Sequence, residues 1–311
     1  GCVTCHKIAS VKMSDTLYIF GTFHYYNNKM NPFLIAVDSS LNVKWYKAFS
    51  HSLGNAAIDN MVKINDSLIA ISGGHTSRDY QCTSNNCTFF GIFNIKTQNF
   101  VWAKYRNISY SNGYLSTTAI GFDGNNLVIG AQDGWLSKVN LDGNILWQKT
   151  TSLGLNYSVM DVAFDGTNYV YLIISTTAYS NTVLLKLDLN GNSIIWAKEY
   201  DFGGYDAGYK LLKDIDGYVV AGTTCNANFC DYLDGKDNIF IFKTDFNGNI
   251  IWSKLYSSNI PGWVSEDRGY NIAIDYDGNY LVSGFIRATS NSSYPIVLKI
   301  NRNNGNLIWA R

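Results

Sequence analysis

Glutamate is nearly missing from this chain: of 311 residues only Glu199 and Glu266 are glutamates, only three are proline, and histidine and methionine number four each. Charged residues make up 15%, against about 25% in an average soluble domain. With so little Glu among the good helix formers, a helical protein is excluded. Basic and acidic residues balance at 24 each, so no strongly basic surface exists to attract nucleic acid or an anionic membrane. No apolar run approaches the ~18 residues of a membrane-spanning helix. No signal peptide is present either, so for an exported protein Gly1 would begin the processed form.

What the chain has instead is 22 Tyr, 16 Phe and 8 Trp, with many Ile, Val and Thr, a composition that favours strands. One short segment recurs six times: Leu41-Asn-Val-Lys-Trp45, Gln98-Asn-Phe-Val-Trp102, Gly143-Asn-Ile-Leu-Trp147, Gly191-Asn-Ser-Ile-Ile-Trp196, Gly248-Asn-Ile-Ile-Trp252 and Gly305-Asn-Leu-Ile-Trp309. The tryptophans lie 57, 45, 49, 56 and 57 residues apart, the period of a supersecondary unit and too long for a heptad or helical pair. Each unit reads as a strand, a turn such as Asp214-Ile-Asp-Gly217, a second strand, a variable loop, a third strand and a Gly-Asn turn into the Trp strand. Four antiparallel strands repeated six times predict an all-β fold, a six-bladed β-propeller spanning residues 7–311 as one domain, preceded by a short segment 1–6. In that fold the Trp residues pack between neighbouring blades, and Asp or Asn before Gly serves turns.

These repeats resemble those of secreted prokaryotic propellers, among them the pyrroloquinoline-quinone-type repeat; Asn94-Ile-Lys-Thr-Gln-Asn-Phe-Val-Trp102 is the nearest copy. The resemblance implies the propeller fold. It does not bring the quinone, because the eight blades and vicinal disulfide of the quinone enzymes are missing. Sialidases are also six-bladed, but their chemistry requires converging arginines and a tyrosine with an acidic partner. Here Arg78, Arg106, Arg268, Arg287, Arg302 and Arg311 are scattered. No nucleophile or acid pair marks an enzyme, so a non-catalytic protein is expected.

The six cysteines form three close pairs. Cys82 with Cys87 and Cys225 with Cys230 close short polar loops without the His or second Cys pair that zinc requires, and read as disulfides in an oxidising compartment. Asn-x-Ser/Thr sequons at Asn65, Asn86, Asn107, Asn156 and Asn291 agree with a secreted, extracellular or cell-surface glycoprotein.

The third pair carries the sharpest chemical signal. Cys2-Val-Thr-Cys5-His6 has the spacing at which two thiols bond the vinyl groups of one haem and the adjacent imidazole ligates its iron. The competing reading is a terminal disulfide or free thiols with no cofactor. Blade topology adds a second observation. With strands alternating in direction, the start of each first strand, the second-to-third loop and the link to the next blade share one end of the blades. His6, His24, His51 and His75 all fall at that end, within the first two blades. His24 is the preferred sixth ligand because first and second strands form a hairpin; His51, His75 and Met30 are alternatives. Asp275-Tyr-Asp-Gly-Asn279 and Asp214-Ile-Asp-Gly217 faintly resemble calcium loops but lack the bidentate acid, and read as ordinary turns.

The expectation is an extracellular monohaem c-type cytochrome on a propeller, exchanging electrons with a redox partner or with identical subunits in a homo-oligomer or filament. The alternative is a haem-free scaffold, adhesion or filament-forming propeller.

Overall fold

The computed structural model describes residues 8–26, 29–49, 55–76, 87–108, 118–151, 157–175, 181–226, 236–258, 265–289 and 292–311. Within them are 24 strands and no helix, hence no helix long and apolar enough to cross a membrane. The first blade comprises β1 (Ala9–Ser14), β2 (Leu17–Tyr26), β3 (Lys29–Val37) and β4 (Val43–Ala48). The second comprises β5 (Asn55–Lys63), β6 (Leu68–Thr76), β7 (Cys87–Asn94) and β8 (Asn99–Asn107). β9 (Thr118–Phe122), β10 (Asn126–Ala131), β11 (Trp135–Asn140) and β12 (Ile145–Thr150) form the third. β13 (Tyr157–Phe164), β14 (Asn168–Ser175), β15 (Thr182–Asp188) and β16 (Ile194–Tyr200) form the fourth. The fifth is β17 (Gly204–Lys213), β18 (Gly217–Asn226), β19 (Lys236–Asp245) and β20 (Ile250–Tyr256), and the sixth β21 (Ser265–Ile274), β22 (Tyr280–Thr289), β23 (Ser292–Ile300) and β24 (Leu307–Ala310).

Spatial order follows chain order in every blade. The chain is a six-bladed β-propeller of four-stranded antiparallel blades, as the repeats predict. It forms two compact units, Gly1–Gly166 and Thr167–Arg311.

The cores lie between blades. One joins Met13, Ile19 and Leu34 of the first blade to Ile58, Ile69 and Phe93 of the second. Another joins Val219, Ile239 and Ile241 of the fifth to Ile272, Val282 and Leu298 of the sixth. Gly73 and Gly222 in the second strands let those sheets close up: an added β-carbon would lie 2.0 Å from the Ala57 carbonyl oxygen and 2.2 Å from that of Ala207, respectively.

The recurrent Trp has a definite structural cause. In each blade the third-to-fourth strand pairing slips by one residue just before the Trp, as between Val37↔Val43 and Ala36↔Trp45, or Thr244↔Ile250 and Lys243↔Trp252. This bulge turns two consecutive residues outward and re-aims the Trp inward. The outward residues are aliphatic and exposed in most blades, for example Ile145 with Leu146, Ile194 with Ile195 and Ile250 with Ile251. Two of the inward Trp residues bond the turn of the next blade: Trp102 Nε1 donates to the Leu141 carbonyl (2.7 Å) and Trp252 Nε1 to that of Arg302 (3.2 Å). The lysine two residues on follows: Lys104 Nζ donates to Gly143 O at 2.5 Å and Lys198 Nζ to Asn249 Oδ1 at 2.6 Å.

Candidate functional site

The two ends of the blades differ chemically. At one end the connections are short turns held by a side-chain carboxylate or amide. Asp38, Asn94, Asn140, Asp188 and Asp245 each accept hydrogen bonds from backbone amides two to five residues ahead. The calcium-loop-like turns belong here. Asp275 pairs with Lys299 Nζ at 2.7 Å, and Asp214 is buried against Lys243 Nζ (3.1 Å), Arg302 Nε (2.9 Å) and the Tyr280 hydroxyl. Their carboxylates serve lysine and arginine, and among the described residues no group of three or more His, Cys, Asp or Glu could hold a metal ion. The lysines also repeat: Lys138, Lys186, Lys243 and Lys299 each sit directly opposite the Trp of their blade. Sequence reading missed that series, although Lys-x-Asp/Asn upstream of each Gly-Asn turn signals it.

The opposite end carries the long connections, together with His24 and His75. β1 and β5 run in the same direction, since Lys63 Nζ near the end of β5 donates to Met13 O near the end of β1 (2.6 Å). Their starts therefore lie together at the long-loop end. Gly21 of β2 fixes the level between the two sheets: an added β-carbon there would lie 3.1 Å from Ile58 Cγ2. Three residues beyond Gly21 toward the long-loop end comes His24; three residues back from Ile58 comes Asn55, paired with Thr76, beside Ala56 paired with His75. His24 and His75 thus stand at the same end of adjoining sheets and within about one residue of the same height. His24 pairs with Asn31 and Tyr25 with Met30 across β2–β3. Cys2, Cys5, His6 and His51 lie outside the described residues.

Cys87 pairs with His75 across β6–β7, and Cys225 pairs with Asp237 across β18–β19. Both cysteines are disulfide-bonded; Cys82 and Cys230 lie outside the described residues, as do Asn86, Asn156 and Asn291. Asn65 and Asn107 are exposed. The Asn65 side-chain oxygen accepts the Ser67 and Leu68 amides at 2.9 and 3.0 Å, shaping the β5–β6 turn.

Within the second unit the long-loop end holds polar groups that composition did not reveal. β19 and β21 join in a short parallel ladder, Lys236↔Ser265 and Asp237↔Glu266, which brings Arg268 NH2 to 3.4 Å from Asp237 Oδ2. Bulges in β17 and β21 present Tyr209 and Tyr270, whose rings lie 4.9 Å apart beside Arg268. Burial opposes the charge of Arg268, but Tyr209, Tyr270 and Asp237 outweigh it and hold the guanidinium more firmly protonated than usual. Buried Asp206 and Asp267 anchor the links into their blades: Asp206 Oδ2 accepts the Phe202 amide at 2.6 Å and Asp267 Oδ2 the Ser258 amide at 2.7 Å. Burial raises both carboxyls above the usual range. Arg106 pairs with Asp133 (2.9 Å) and Arg302 with Asp214, while Arg287 stands opposite Glu266 in the hairpin that carries Arg268.

No protein-family model matches the chain, and no curated protein is detectably similar to it. Solved structures do resemble it. The hydrazine synthase of Kuenenia stuttgartiensis aligns over 92% of this chain and 79% of its own at 10% identity, with a TM-score of 0.58. BamB from Moraxella catarrhalis aligns over 96% of this chain and 73% of its own at 13% identity, with a TM-score of 0.48. The former likeness, at such low identity, is one of fold: a β-propeller.

Proposed function

We propose that the chain is an extracellular, non-enzymatic propeller that carries one covalent haem c and exchanges single electrons with a redox partner or with copies of itself. The observation that carries this reading is the Cys2-Val3-Thr4-Cys5-His6 spacing, which puts two thiols and an imidazole within reach of one porphyrin. Two features support it. β1 begins at Ala9, three residues after His6, so the attachment residues are tied closely to the first blade, because three residues span at most about 11 Å. Histidines also recur in the first two blades, at His24 near the end of β2 and His75 near the end of β6, and a neutral imidazole could serve as a ligand. Cys2 and Cys5 would attach the group and His6 would ligate it; the haem, when bound, supplies a one-electron iron couple. Disulfide-bonded Cys87 and Cys225 fit an oxidising compartment.

The test is a visible absorption spectrum of natively purified protein, oxidised and then reduced with dithionite. A Soret band with sharp α and β bands that survive acid-acetone extraction is the expected result. A featureless spectrum from intact protein overturns the reading.

One observation favours a second reading, a haem-free scaffold or filament subunit: the outward aliphatic residues on the outer strands, such as Val43, Val101, Ile194 and Ile250. Exposed apolar surface of this extent marks contact with other macromolecules. Under this reading the spectrum is featureless and the native protein elutes as an assembly in light-scattering chromatography.

A further inference from the structure

We propose that copies of this chain associate through the open edges of their outer strands, each edge setting its backbone and its uncharged outward side chains against the matching edge of another copy. The inference deepens the second reading above, resting on its outward aliphatic residues and not on haem. Among the described residues β12, β16, β20 and β24 each pair with one strand only, the third of their own blade. Their other edge presents backbone N–H and C=O groups to which a further strand can pair.

The bulge before each Trp decides which side chains flank that edge. Beyond it, β16 exposes Ile195, Ala197 and Glu199, and β20 exposes Ile251, Ser253 and Leu255. β12 and β24 repeat the pattern from Leu146 and from Ile308. Natural sheet edges are guarded against pairing by outward charges, lysine above all. In these strands the lysines alternate to the inner side with the Trp. Lys198 Nζ donates to Asn249 Oδ1 of the next blade at 2.6 Å, Lys149 Nζ lies 5.9 Å from the centre of the Trp147 ring, and the stem of Lys254 runs beside Gly305. Glu199 is the one charge in the four outward rows, and the Asn181 amide donates to it at 2.7 Å.

The same features identify the partner as a second copy. An open strand edge is satisfied by another extended strand, and an outward row without charge fits a second row without charge. This chain carries such edges on four blades, in closely similar sequence. Its formal net charge of +0 leaves copies without net repulsion at neutral pH, whereas a net charge far from zero keeps proteins monomeric. One edge offers little surface: a few half-exposed aliphatic side chains fall well short of the ~1,200–2,000 Å² of a stable interface. A lasting contact therefore engages several edges of each copy. Edges repeated on successive blades favour growth into an open assembly over closure as a dimer.

The experiment measures the mass of the natively purified full chain by light scattering over a wide range of concentration. The parent is compared with a triple variant, Ile195→Lys with Ile251→Lys and Ile308→Lys, which puts one outward charge on each of β16, β20 and β24. The expected result is a parent whose mean mass rises with concentration to at least twice the 34.8 kDa of one chain and persists in high salt, which screens ion pairs between exposed charges. The triple variant is expected to stay at 34.8 kDa with an unchanged β-sheet circular dichroism spectrum. A parent at the mass of one chain throughout, or a folded triple variant that assembles as the parent does, overturns the proposal. Should the variant fail to fold, hydrogen exchange of the parent at low and high concentration decides. Slower exchange at high concentration in peptides covering β16, β20 and β24 is expected, and unchanged exchange there overturns the proposal. A parent that stays monomeric but floats with phosphatidylcholine vesicles assigns the aliphatic strip to a lipid surface and overturns it too. The visible spectrum separates the two readings: a monomeric parent with a featureless spectrum overturns this inference and leaves a haem-free propeller that contacts something else, whereas an assembling parent with haem bands overturns the haem-free reading and leaves this inference standing.

Discussion

At the scale of single residues, the buried charges do structural work that the sequence hides. Asp214 has no solvent-exposed side-chain surface and meets Lys243, Arg302 and the Tyr280 hydroxyl. Asp214→Asn leaves two cations around an uncharged amide, with only half-exposed Asp216 still paired to Lys243. Removing one partner of a buried pair costs about 3 kcal/mol or more, and urea denaturation should show a loss of that order. Asp206 and Asp267 behave differently. Burial raises both folded-state pKa values above the ordinary 3.8. A raised carboxyl binds its proton more tightly in the folded state, so its contribution is complete below the unfolded pKa and is lost as pH rises through the folded one. Asp206→Asn keeps the shape and an acceptor for the Phe202 amide but cannot ionise. Its stability relative to the parent should therefore improve between pH 3 and pH 7, measured by denaturation at both; an unchanged or opposite difference would contradict the burial argument.

At the scale of strands and turns, the repeated bulge decides which way the outer strand faces. Trp252→Ala removes the indole that the bulge re-aims inward, where it donates to the Arg302 carbonyl and packs on Gly305. Urea denaturation should show a stability loss of about 3–5 kcal/mol, as for truncating a buried aromatic. A glycine pair separates crowding from turn strain. Gly222→Ala forces a β-carbon to 2.2 Å from the Ala207 carbonyl, whereas Gly124→Ala meets nothing within 4 Å and only disturbs a positive φ. The first should cost several times the second, about 3 against about 1 kcal/mol, in thermal denaturation. These elements also mark how far sequence reading reached. The Trp period, the turn residues and the four-strand unit are local signals, and they led to the observed blades. The bulges at Tyr209 and Tyr270, the β19–β21 ladder and the burial of Asp206 and Asp267 depend on pairings between residues far apart in the chain, which no local pattern carries. Of the candidate site, the positions of His24 and His75 on strand ends were legible because strand alternation fixes the end of the blade. Their relative height was not, because it depends on Gly21 meeting Ile58 across two sheets.

At the scale of the whole molecule, the division between a short-turn end and a long-loop end explains where covalent reinforcement is placed. Short turns close their own backbone hydrogen bonds through Asp and Asn, as at Asp38 and Asp245, and gain little from a crosslink. Both described disulfide-bonded cysteines stand at the roots of long second-to-third connections, Cys87 where β7 begins and Cys225 one residue before β18 ends. The nearest cysteines in sequence are Cys82 and Cys230, each five residues away. Peptide mapping of the unreduced, natively exported protein should recover Cys82–Cys87 and Cys225–Cys230; any cross-pairing between the two blades would overturn the local-staple reading. Closing so short a loop stabilises by about 2 kcal/mol, so reduction should lower the denaturation midpoint modestly for each bond while the β-sheet spectrum persists. The blade cores explain that persistence, since Ile58, Ile69 and Phe93 between the first two blades and Ile239, Ile241 and Val282 between the last two are buried without help from either bond.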